Sequence, residues 1–136
     1  MHSYPSFPVA SLLVAGGGAA GSWLRFVTGR LWAIAIGPIA AGAFPWSTLT
    51  VNVLGSLAMG LLVGWLARHA TGGEGWQLLL GVGLLGGFTT FSAFALEFTL
   101  FIERGAPAMG LFYVALSLLA GIGALFGGLF VMRATA

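Results

Sequence analysis

Gly86-Gly87-Phe88-Thr89-Thr90-Phe91-Ser92 interrupts the uncharged run 77–96 with residues that weaken a helix, at the point where a membrane span has its midpoint. Glycine loses the most backbone freedom on entering a helix, and two successive β-branched threonines are stiff at χ1 against the preceding turn. In hydrocarbon, each backbone group freed by a break costs several kcal/mol unless something satisfies it. A break at that depth therefore marks a site. Its carbonyls can hold a cation, and Phe91 and Phe94 follow it three residues apart on one face of the resuming helix.

The rest of the chain makes the surroundings a membrane. Its 136 residues are 59% hydrophobic and only 6% charged, against about a quarter charged in a soluble domain. Apolar runs with few or no charges, long enough to cross about 30 Å of hydrocarbon as helices, predict four transmembrane helices, roughly 9–30, 46–67, 77–101 and 107–132, in one domain covering 1–136. The fold class expected is an all-α membrane protein with a break in the third helix. The stretch 31–44 is apolar but short and is interrupted by Gly37, Pro38 and Gly42, so it reads as a connecting loop with a short interfacial helix. Only His2 precedes the first apolar run and no cleavage site follows it, so that helix is expected to stay.

Several function classes drop out. Without cysteine there is no disulfide framework, thiolate metal site or cysteine nucleophile. The net charge of +2 comes from Arg25, Arg30, Arg68, Arg104 and Arg133 against three glutamates, and those arginines sit at helix ends. They anchor spans at the interface with lipid; no basic stripe interleaved with aromatics suggests nucleic acid. His2 and His69 fall at a terminus and in a loop, no second carboxylate lies near Glu97, and no nucleophile, base and acid can be grouped. The sequence supplies no enzyme chemistry.

The arginines also bear on topology. With four spans, Arg68 and Arg133 share one side; Arg30 and Arg104 lie on the other, joined by Arg25 if it is outside the membrane. Neither orientation wins by the positive-inside rule. Such balance fits a chain that inserts both ways, whose opposite copies pair into an antiparallel dimer. Four helices alone cannot enclose a water-lined path and also pack together, so transport requires a partner copy. Gly17/Gly21, Gly60/Gly64 and Gly123/Gly127 have the spacing that lets membrane helices approach closely.

Polar side chains within the spans are the remaining candidates. Thr48 and Asn52 are one i,i+4 step apart, as are Tyr113 and Ser117, whose next step falls on Gly121. The Asn52 amide can donate to an anion or join two helices, and the hydroxyls can line a path or bond their own backbone. Phe91 and Phe94 either pack or turn their partially positive ring edges to a small anion. Arg25 and Glu97 are the charges closest to membrane depth, where ionisable groups are functional by default; Arg25 either snorkels or serves the site, and Glu97 faces the same conduit or pairs with an arginine.

Gly18-Ala19-Ala20-Gly21-Ser22-Trp23-Leu24-Arg25, Thr48-Leu49-Thr50-Val51-Asn52-Val53-Leu54-Gly55 and Gly86-Gly87-Phe88-Thr89-Thr90-Phe91-Ser92-Ala93-Phe94 resemble, in this order, the three signature segments of the Fluc (CrcB) fluoride channel family. The resemblance implies passive fluoride export across the inner (plasma) membrane by a dual-topology homodimer with two antiparallel pores. It also implies one structural sodium ion on the dimer axis, held by main-chain carbonyls of Gly86 and Thr89. Phe91 and Phe94 would face fluoride, Asn52 and Arg25 would serve the pore and its vestibule, and Thr48, Ser92, Glu97, Tyr113 and Ser117 match the family's polar positions. Ala93 and Gly121 depart from the pattern, standing where hydroxyls are expected. Two rivals are a small multidrug exporter, which needs an ionisable carboxylate in its first helix that this chain lacks, and a structural membrane subunit, for which a break at mid-depth has no use.

Overall fold

The computed structural model describes residues 4–68 and 73–135. His2 and His69 lie outside them. The described residues form helices α1 (Phe7–Ile36), α2 (Pro38–Ala43) and α3 (Trp46–Arg68), then a third span in two pieces, then α6 (Pro107–Ala134). The first piece, α4, comprises Glu74–Trp76, Gln77–Leu85 and Gly86–Phe88; the second, α5, is Ser92–Glu103. Four stretches, Phe7–Ile36, Trp46–Arg68, Glu74–Glu103 and Pro107–Ala134, are long and apolar enough to cross a bilayer. The chain is a multi-pass integral membrane protein.

The helix ends follow local chemistry. Proline opens α1, α2 and α6 in the first turn, where its missing N–H is no loss and its fixed φ suits a helix. The first helix continues past the expected residue 30 to Ile36, because nothing in 31–36 opposes a helix; Gly37, at φ +82°, ends it and Pro38 starts α2. Gly105, at φ +73°, closes α5: its N–H donates to the Ile102 carbonyl and the Ala106 N–H to that of Phe101, both near 3 Å. This paired pattern is the Schellman motif, which places glycine where a Cβ would be strained.

Two helix pairs build the bundle: α1 lies along α4, and α3 lies along α6. Glycines permit both approaches. A Cβ on Gly17 or Gly21 would run into the α4 backbone at Leu79 and Leu84, and one on Gly60 or Gly128 would meet the backbone of α6 or α3. Gly123 and Gly127, by contrast, face open space within the protomer, so the third expected ridge is not an internal contact. Gln77–Leu85 winds as a π-helix, and the Gly86 N–H reaches back to the Gly81 carbonyl. Its widened turn carries Gly83 against Val14 and Gly17 of α1.

The α2 segment is pinned by aromatics. Phe44 packs on Trp46 at 4.6 Å and edge-on to Tyr113 at 5.6 Å between ring centroids, while Trp32 stacks on Trp46 and donates to Thr50 Oγ1 at 3.0 Å. That cluster covers one end of the buried Tyr113.

Candidate functional site

The break opens after α4. Thr89 is extended, with φ −79° and ψ 161°, and the chain re-enters a helix only at Ser92. Asn52 satisfies what this frees: its Oδ1 accepts from the Thr90 N–H at 2.8 Å and its Nδ2 donates to the Thr90 carbonyl at 3.0 Å. A single amide thus replaces both halves of a helical step. The small Gly55, one turn on, leaves room for the Thr89 methyl against α3. Of the two readings open for Asn52, joining helices is the one the geometry displays. The Thr90 hydroxyl also helps, accepting from the Ala93 N–H at 3.3 Å and meeting the Ser92 hydroxyl at 3.4 Å.

Gly86 and Thr89 present main-chain oxygens beside this clamp. The Thr90 N–H that would bond the Gly86 carbonyl in a continuing α-helix goes to Asn52 instead. The extended Thr89 turns its own carbonyl off the helix axis, while its hydroxyl bonds back to Leu85 at 2.8 Å and is taken up there. Arg25 bends inward, and its Nη1 lies 3.5 Å from the Thr89 carbonyl, so it reaches the site instead of the headgroups. A hard cation would find backbone oxygens here, and the described residues hold no cluster of acidic or imidazole ligands.

A second polar cluster lies one to two turns along α5. Glu97 accepts from the Thr48 hydroxyl at 2.6 Å and from the Tyr113 hydroxyl at 2.7 Å, lengths typical of charge-assisted bonds. Thr48 and Asn52 share a face of α3, as their spacing predicts, but each is committed to a different partner. Thr48 and Tyr113 each have one hydroxyl hydrogen, and both hydrogens point at Glu97. Ser117 differs: its Oγ is buried one turn from the Tyr113 hydroxyl and makes no close hydrogen bond among the described residues.

The aromatic rings connect the two clusters. Phe91 and Phe94 lie 5.7 Å apart, and Phe94 lies 5.2 Å from Tyr113, all with tilted planes. Phe91 is 79% exposed. Both rings line an open groove of about 460 Å³, together with Asn52, Gly86, Thr89, Thr90, Ser117 and Gly121. Among the described residues, no acidic or basic side chain lines it. Ser56 also lines the groove, and it continues the Thr48/Asn52 spacing by one more i,i+4 step, a signal the sequence carries. It faces the Gly121 departure directly: a Cβ there would lie 3.6 Å from the Ser56 hydroxyl.

A four-span bundle whose third span breaks midway, beside a groove lined by hydroxyls, an amide and phenylalanine rings, has the parts of a membrane channel. Residues 12–129 match the family model described as CrcB-like protein, Camphor Resistance (CrcB). The chain is 53% identical over 127 residues to a protein of Novosphingobium aromaticivorans named fluoride-specific ion channel FluC, covering 93% of this chain and 98% of that one. Proteins with the same name from Erythrobacter litoralis and Sphingopyxis alaskensis are 50% and 48% identical over 125 and 117 residues, covering 91% and 86% of this chain and 92% and 90% of theirs. The chain belongs to the CrcB family.

Proposed function

We propose that the protein is a fluoride-selective channel of the bacterial plasma membrane, passing fluoride down its gradient. The observation that carries this reading is the groove: hydroxyls and phenylalanine rings line it, no acidic or basic side chain among the described residues does, and the nearby charge of Arg25 stands behind the Thr89 carbonyl. Fluoride is small and strongly hydrated, so a path must replace its water with several weak contacts and still release it. The relatives' shared name supports the identity of the ion.

The working unit in this reading is an antiparallel homodimer of dual topology. The groove is open along one side, and Phe91 and the Gly123/Gly127 face are left uncovered within the protomer; a second copy would close the path. Two breaks meeting on a two-fold axis would bring four carbonyls, from Gly86 and Thr89 of each copy, around one structural sodium ion. Sodium would offset the repulsion between those converging dipoles, and Arg25 beside the Thr89 oxygen would tune how tightly it is held.

Phe91→Ile and Phe94→Ile test the path, because each keeps bulk and removes the ring edge. Fluoride efflux from liposomes should fall at least tenfold in either variant while the dimer still elutes intact. Wild-type efflux in both would move the path elsewhere.

A further inference from the structure

A second concavity shares no residue with the groove. It lies between the C-terminal ends of α3 and α6, has a volume of about 260 Å³, and is lined by Val63, Gly64, Ala67, Arg68, Leu129 and Arg133. Its floor is apolar, its rim carries two guanidinium groups, and no carboxylate of the described residues lines it. Arg68 closes α3 and Arg133 sits in the last turn of α6, so the rim lies where two membrane spans emerge. Gly64 lets the helices close on one another here, since a Cβ would meet Met132.

Among the described residues, neither arginine has a charged partner. Arg68 reaches the Thr135 carbonyl and hydroxyl at 3.4 and 3.5 Å, both exposed and long for charge-assisted bonds. Arg133 makes no hydrogen bond or ion pair among the described residues. Two cations on the rim of an apolar cleft repel each other unless an anion sits between them. Each also faces the negative end of its own helix, but that role needs no apolar cleft.

We propose that this cleft binds an anionic phospholipid from the leaflet it faces. The phosphate would sit between Arg68 and Arg133, whose planar forks match its oxygens, and the start of an acyl chain would lie along Val63, Ala67 and Leu129. A water-soluble anion would use the rim and leave the floor unfilled. A zwitterionic lipid would bring a quaternary ammonium to two like charges.

Native mass spectrometry of the purified protein, released from micelles doped with equal amounts of phosphatidylglycerol and phosphatidylcholine, tests this. Wild type should retain phosphatidylglycerol in preference by about 30-fold, as two juxtamembrane arginines warrant. R68Q/R133Q should lose that preference. Ala67→Phe, which fills the floor and leaves both arginines, should also lose the lipid. Equal retention of the two lipids by wild type overturns the proposal whether or not the variants fold. So does undiminished retention by R68Q/R133Q. Displacement by inorganic phosphate, with Ala67→Phe binding as wild type, would make this a site for soluble anions instead and would equally overturn it.

Discussion

Asn52 holds the backbone of the break with two close hydrogen bonds, and Ser117 makes no close one among the described residues; the contrast lets their roles be tested separately. Asn52→Leu removes both bonds to Thr90 and leaves an N–H and a carbonyl unpaired at bilayer depth, a loss of about 3 kcal/mol. Reversible unfolding in detergent should register it, together with a loss of flux; a variant as stable as wild type would mean Asn52 serves only the ion. Ser117→Ala should do the reverse. Its buried hydroxyl has no partner, so stability should hold or rise by up to about 1 kcal/mol, while fluoride efflux falls severalfold. Unchanged efflux would take Ser117 out of the path. Sequence alone left Asn52 between donor and glue because an amide at i+4 from a threonine suits both. The direction of the Thr48 and Tyr113 hydroxyls was equally hidden, since nothing local says that Glu97, 49 residues from Thr48, collects both.

The third span is where sequence reads best and worst. Gly86 to Thr90 marks its break plainly, because glycine and β-branched residues weaken a helix in any setting. The π-helical turn from Gln77 to Leu85 leaves no such mark: the same apolar residues serve α and π winding, and the choice falls to packing against α1. The extension of α1 to Ile36 has a related cause: Gly37, Pro38 and Gly42 mark a connection in 31–44, but the break they impose starts only at Gly37. Glycine spacing proved half informative. Gly17, Gly21, Gly60 and Gly64 sit at packed crossings, but Gly123 and Gly127 do not, since spacing alone cannot say which face meets a neighbour. Gly21→Ala would drive a Cβ into the Leu84 carbonyl and the Phe88 amide, backbone atoms that cannot rotate away. It should destabilise the protein by about 3 kcal/mol, read as a lower unfolding midpoint. A midpoint equal to wild type would mean α1 and α4 are not packed as described.

With Arg25 turned in to the break, Arg30 and Arg104 stand against Arg68 and Arg133, a balance that fits the proposed insertion in both orientations, and in the same proposal a second copy completes the open groove. Arg68 and Arg133 do come together at one end, as an even number of spans requires. The proposed pairing of copies, the proposed ion between them and the path they would enclose all serve one claim, that the groove selects fluoride and conducts it without another energy source. Efflux from liposomes loaded with fluoride or chloride, with a potassium ionophore to balance charge and no proton gradient, measures that claim directly. Fluoride should leave rapidly and chloride should stay. Equal release of the two anions, or fluoride release only when a proton gradient is imposed, would contradict it.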